Sequence, residues 1–183
     1  QINSPYSFTP TTVDSTTTIT VQLNNTVGVS QVVNFTGLAA PFSVATSSIN
    51  IGASDSALID IIFTPNSVGN FSDTLDFPGN VFSEFCTLVL NGEGVQVSIT
   101  TSTDTVDFGG LSLGSSTSEN FTIYNNGTGT MNVSSITSNS PAVSVSPTNI
   151  QIPQGGSSVV TLTYTPINSG YLNAIISIAS NDP

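Results

Sequence analysis

Ile61-Ile62-Phe63-Thr64-Pro65-Asn66-Ser67-Val68-Gly69-Asn70-Phe71 returns 101 residues later as Leu162-Thr163-Tyr164-Thr165-Pro166-Ile167-Asn168-Ser169-Gly170-Tyr171-Leu172. Each stretch reads as an apolar strand, a Thr-Pro turn, then a Gly that opens the next strand beside an aromatic. Upstream, Val44-Ala45-Thr46-Ser47-Ser48-Ile49-Asn50-Ile51 matches Val145-Ser146-Pro147-Thr148-Asn149-Ile150-Gln151-Ile152 at the same offset. Matching blocks in the same order are the mark of a tandem duplication. The reading is two domains, 1–94 and 95–183, with the junction near Gly92-Glu93-Gly94-Val95.

Working outward, the dominant period is two. Thr18-Ile19-Thr20-Val21-Gln22-Leu23 puts Ile19, Val21 and Leu23 on one face of a strand. Ala57 to Phe63 is almost continuously apolar, which predicts a strand well covered by an opposing sheet. Asn120 to Tyr124 and Val159 to Tyr164 repeat both signals in the second half. No stretch carries apolar residues at helical spacing over three turns. Gly, Pro, Asn and Ser breaks recur at the spacing of a sandwich or barrel, so the fold class is all-β.

Composition narrows the chemistry. The 183 residues include no Lys, Arg or His and 11 Asp or Glu, a formal net charge of −11. An imidazole base, a Schiff-base amine and a phosphate clamp are all excluded. Nucleic acid is excluded as a partner, because nothing can neutralise its phosphates. No apolar run is long enough to insert in a membrane. The chain opens at Gln1, so a removed targeting segment or a longer parent protein is expected. Cys86 stands alone and cannot form an internal disulfide; Leu88 and Leu90 at even spacing predict that it faces the core.

Several motifs of the second half carry a family likeness. They are Thr105-Val106-Asp107-Phe108-Gly109, Gly114-Ser115-Ser116, Phe121-Thr122-Ile123-Tyr124-Asn125-Asn126-Gly127, Tyr164-Thr165-Pro166, Gly170-Tyr171 and Ser180-Asn181-Asp182-Pro183. Together they resemble the ASPM–SPD-2–Hydin type of immunoglobulin-like repeat, met in bacteria as "choice-of-anchor D" domains of surface proteins. The likeness covers nearly all of the second copy. It covers the first more loosely, because Val13-Asp14-Ser15-Thr16 lacks the Phe-Gly-loop-Gly insertion. It implies seven-stranded β-sandwiches and a role in adhesion, scaffolding or filament building.

The second copy stops early. In the first, Asp76-Phe77-Pro78-Gly79-Asn80 leads into a last strand, Val81 to Leu90, that closes at Asn91-Gly92-Glu93-Gly94. In the second, Ser180-Asn181-Asp182-Pro183 is the equivalent turn. The expected architecture is therefore two tandem immunoglobulin-like β-sandwiches, the second lacking its last strand. Either a further repeat of a longer chain or another subunit would supply that strand. Ile2, Tyr6 and Phe8, evenly spaced near the start, form the candidate donor.

The remaining candidate sites are few. Asp73 with Asp76, and Asp104 with Asp107, are the only acid pairs suited to hydrolysis, and neither has a predicted cleft. No catalytic residue and no resident cofactor is expected. Glu93, Asp104, Asp107 and Asp182 are candidate calcium ligands, as loop carboxylates suit hard cations. Asn24, Asn34, Asn70, Asn120, Asn126 and Asn132 are sequons, with Asn126 the best exposed in an Asn-Gly hairpin turn. Phe35, Phe63, Phe71, Phe121, Tyr164 and Tyr171 fall at core positions; Tyr6, Phe82 and Phe85 remain open. The expected function is a non-catalytic structural or adhesive module of an extracellular filament, cell-surface fibre or adhesin stalk, either as a segment of a longer repeat protein or polymerising by strand donation. The alternatives are a calcium-dependent carbohydrate- or receptor-binding module and a virion fibre protein.

Overall fold

The computed structural model describes residues 5–78 and 87–182. The protein is all-β, with no helix among the described residues, and divides into two compact units, Gln1–Val95 and Gln96–Pro183. The first unit comprises β1 (Tyr6–Ser7), β2 (Thr11–Thr12), β3 (Thr17–Asn24), β4 (Gln31–Asn34), β5 (Phe42–Val44), β6 (Ser48–Ile51), β7 (Ser56–Phe63), β8 (Gly69–Asp76) and β9 (Thr87–Val95). One layer is β3-β7-β5, antiparallel throughout. In the facing layer a bridge between Thr36 and Asp76, with N–H to carbonyl distances of 3.0 and 2.8 Å, joins the β4-β6 ladder to β8-β9. On its other edge β9 is flanked by β1 and β2, both parallel to it.

Alternation fills the space between the layers. Val21 and Leu23 of β3, Ile59, Ile61 and Phe63 of β7, Leu75 of β8, and Leu88 and Leu90 of β9 all point inward and are buried. Phe63 is the hub, with ring centroids 4.9 Å from Phe42, 5.4 Å from Phe8 and 5.8 Å from Phe71. β9 passes directly over that hub. A Cβ on Gly92 would lie 2.6 Å from the Phe63 ring, and one on Gly94 would lie 2.8 Å from the Pro65 Cβ.

The second unit comprises β10 (Ile99–Thr101), β11 (Thr117–Asn125), β12 (Met131–Ser138), β13 (Val143–Ser146), β14 (Ile150–Ile152), β15 (Ser157–Tyr164) and β16 (Ile176–Ser180). Its layers run β10-β11-β15-β13 and β14-β12-β16. The pairings match those of the first unit. Thr17 faces Phe63 as Thr117 faces Tyr164, an offset of 100 on one strand and 101 on the other. A bulge between Val133 and Ser135 supplies the extra residue. Beyond it, Thr137 faces Ser177 where Thr36 faces Asp76.

Four expectations are corrected. Gly92-Glu93-Gly94 is not a linker; it lies inside β9, where the glycines admit a close backbone approach to Phe63 and Pro65. The first copy does contain the loop thought missing. Asp14 (φ 63°) donates its N–H to the Pro65 carbonyl as Gly114 (φ 77°) donates to Pro166, and Phe8 sits against Phe63 as Phe108 sits against Tyr164. The run Ala57 to Phe63 alternates after all, since outward Leu58 is 64% exposed. Asn126-Gly127 is not a hairpin turn, because β11 and β12 belong to different layers. There the Asn125 side chain, 1% exposed, donates to the carbonyls of Gly129, Ile152 and Pro153 and accepts from the Gly127 N–H. Asn25 does the same toward Val29, Ile51, Gly52 and Val27.

Two stability outcomes follow from these contacts, both read by urea denaturation. Gly92→Ala lowers stability by about 1–3 kcal/mol through overpacking against Phe63, whereas Gly28→Ala, with nothing within 4 Å of the new Cβ, changes it by less than about 0.5 kcal/mol. Asn125→Ala costs about 3 kcal/mol by orphaning more than one buried backbone group, and exposed Asn126→Ala costs less than about 0.5 kcal/mol.

Candidate functional site in the second unit

Counterpart core residues differ in burial along the side of the sandwich that β9 covers in the first unit. Phe63, Leu75 and Phe77 are buried there, at 0%, 0% and 7% exposure. Their counterparts Tyr164, Ile176 and Ile178 are half-exposed. Beside them opens a cavity of about 1100 Å³. Small-ligand pockets run to roughly 300–1,000 Å³, so this one has room for a larger occupant.

The walls identify what it lacks. One wall is 106–113, the counterpart of the β1-β2 segment, and the other is 170–176, the counterpart of β8. In the first unit these two segments hydrogen-bond to the opposite edges of β9. In the second unit neither wall belongs to a strand until Ile176, and among the described residues β16 pairs along one edge, with β12. Phe121, Leu162 and Tyr164 form an apolar floor, and Phe108 leans on Tyr164 with ring centroids 5.4 Å apart. The far end of the unit is pinned by other means. Asn181 accepts from the Asn132 N–H at 2.8 Å and donates to the Thr130 carbonyl, and Asp182 accepts from the Ile99 N–H at 3.1 Å.

The candidate donor segment is seated in its own unit. Tyr6 and Ser7 pair with Leu90 and Asn91, the Phe8 N–H donates to the Asn91 carbonyl at 2.8 Å, and the Phe8 ring is buried against Phe42 and Phe63. A segment held in this way is not free for export, which corrects the expectation for Tyr6 and Phe8. Ile2, Phe82, Phe85 and Cys86 lie outside the described residues.

Tyr171 was expected in the core and is 98% exposed. It occupies the outward position of Asn70, and Leu172, at the position of Phe71, is 39% exposed beside the groove. Of the candidate calcium ligands, Asp107 accepts from the Gly109 N–H, Asp104 from the Thr105 hydroxyl, Asp182 from Ile99, and Glu93 is exposed on β9. Among the described residues no group of three or more acids, His or Cys is placed to hold a metal ion. Asp73 spends one oxygen on the Ala39 N–H and the other on the Thr74 N–H, both at 2.8 Å. All six sequon asparagines are exposed. The groove could be found in the sequence from the missing strand, whereas the Asn25 and Asn125 clamps carried no signal beyond an Asn at matching positions.

Known families align with each unit separately. Residues 1–95 match the model of Cep192 domain 8, and residues 95–183 match that of ASH, described as abnormal spindle-like microcephaly-associated, ASPM-SPD-2-Hydin. Among solved structures, a protein of unknown function from Porphyromonas gingivalis W83 is 20% identical over 98% of this chain and 90% of its own, with a TM-score of 0.43. The CupB2 chaperone of Pseudomonas aeruginosa is 11% identical over 92% of this chain and 97% of its own, with a TM-score of 0.37. The D0-D1 domain of intimin is 14% identical over 97% of this chain and 90% of its own, with a TM-score of 0.32. No curated protein matches the chain. The Cep192 domain 8 model spans just over half the chain, so the protein belongs to that immunoglobulin-like family through its first unit, and its second unit matches the ASPM-SPD-2-Hydin type.

Proposed function

We propose that this chain is a non-catalytic structural or adhesive module of an extracellular, surface-exposed fibre, and that the groove of its second unit takes a strand that residues 95–183 do not supply, from a further stretch of a longer chain or from another subunit. The observation that carries the reading is the groove between 106–113 and 170–176, since the first unit fills the same space with β9. Backbone amides and carbonyls left along an open sheet edge favour strand addition. Partners are then other copies or further repeats.

Composition supports the same reading. A chain without Lys or Arg offers no trypsin-type cleavage site, and its Ser/Thr/Asn faces make few nonspecific ionic contacts. No helix is long and apolar enough to cross a membrane among the described residues. The chain has no His or Lys to act as a general base, and the carboxylates nearest the groove, Asp104 and Asp107, are bonded to their own loops.

Amide hydrogen exchange on the full chain tests the open groove. Residues 106–112 and 171–175 should exchange at least about tenfold faster than 6–12 and 70–75, because unladdered amides open locally at little cost. Equal protection of both sets in a monomer would sink the proposal. Electron microscopy of native material should then reveal filaments or stalks. Calcium-sensitive melting together with saturable sugar binding, on free monomers, would transfer the assignment to a lectin-like module.

A further inference from the structure

We propose that the first unit carries a sugar-binding cup on the outer face of β8-β9-β1, a site independent of the groove in the second unit. Leu90 and Gly92 of β9 face the core, so Asn91 and Glu93 face outward. Across the ladders Asn91 stands between Ser72 of β8 and Ser7 of β1, and Glu93 stands opposite Asn70. All five line an open cavity of about 410 Å³. Its floor is the row between them, Phe8, Gly92 and Phe71, where both rings turn inward onto Phe63 and the glycine has no side chain.

What sets the cup apart is its unspent polar groups. On other outer faces Thr20 bonds Asp60, Ser118 bonds Thr163, Asn120 bonds Thr161 and Asn132 bonds Gln151, each directly across its ladder. In the cup the five rim side chains bond to none of the described residues, although they stand opposite one another in the same way.

The rim offers one carboxylate, two carboxamides and two hydroxyls, donors and acceptors mixed, with no cation. An anionic ligand finds nothing there to neutralise it. A calcium ion takes roughly six to eight oxygen ligands, and here it meets a single carboxylate. A neutral sugar matches the mixture, because each of its hydroxyls both donates and accepts. Two vicinal hydroxyls can share the Glu93 carboxylate while Asn70, Asn91 and the two serines serve the others. A main-chain floor lets a flat ring approach closely. The volume lies within the roughly 300–1,000 Å³ of small-ligand sites, and the open mouth admits the terminal sugar of a longer glycan.

The test titrates the isotope-labelled full chain with the methyl glycosides of glucose, galactose, mannose and N-acetylglucosamine, without calcium. At least one should shift the amides of residues 7, 70–72 and 91–93 saturably, at millimolar concentration. Glu93→Ala and Asn91→Ala should each weaken that binding about tenfold or more. Neither side chain is buried, so each should lower the Tm by less than about 4 °C. Thr20→Ala, on another outer face, should leave the affinity unchanged. No saturable shift with any of the four glycosides would overturn the inference. So would binding that survives both substitutions, or calcium alone shifting the same amides. None of these outcomes touches the exchange contrast between 106–112 and 6–12, which tests the groove on its own.

Discussion

Everything in this protein turns on the pairing of one strand, β9. Its backbone is bonded on both edges, antiparallel to β8 and parallel to β1 and β2. Its inward side chains close the core over Leu75 and Phe63. Buried peptide groups need partners, so a sheet cannot be sealed by side chains alone. Where β9 is present, Leu75 and Phe63 have no exposure; where its counterpart is absent, Ile176 and Tyr164 stay half-open. The difference between the two units is therefore a difference in backbone completion, made within a nearly constant side-chain pattern.

A chain with acidic but no cationic side chains makes that dependence sharper. With no cation, no ion pair within the chain can stabilise either unit, and the carboxylates are spent on nearby amides and hydroxyls, as with Asp73 on Ala39 and Asp60 on Thr20. Cohesion falls to apolar burial, ladder bonds and the two buried asparagines. Asn25 and Asn125 each gather three carbonyls at the place where the chain passes from one layer to the other. The loops that follow them have no ladder of their own, so a side chain does the work a partner strand would otherwise do.

Most of the architecture was legible because alternation and duplication are strong, long-range signals. Ile19, Val21 and Leu23 declare a face, and the Thr-Pro blocks declare the copy. The failures are short-range. The β1 and β2 ladders contain two residues each, too few to show a period, so Tyr6 and Phe8 looked free for export. Gly92 and Gly94 read as the domain junction because glycine signals both freedom and close approach, and only the ring of Phe63 tells the two apart. Tyr171 was assigned inward on residue type, while its parity, one step from Leu172, points outward. The groove was half-visible. Its missing strand could be read from the second copy, but its walls could not, since 106–113 has no strand signature without something to pair with.

An open groove in an otherwise formed unit raises the question of why the walls do not collapse onto it. The core of the second unit is sealed at the end away from the groove, where Ile123, Met131, Ile152 and Val160 have no exposure. The walls have separate anchors. Gly114 bonds to the Pro166 carbonyl at 3.3 Å, Phe108 rests on Tyr164, and the Ile175 N–H and carbonyl are both held by Asn139. Each wall is thus tied to the body of its own sandwich and to nothing across the gap. Burying a peptide group of either wall without a ladder partner would cost about 1–3 kcal/mol. An inserted strand satisfies both walls at once. An extended backbone, rather than a compact ligand or a side chain, is therefore the complement of the groove, as β9 is in the first unit.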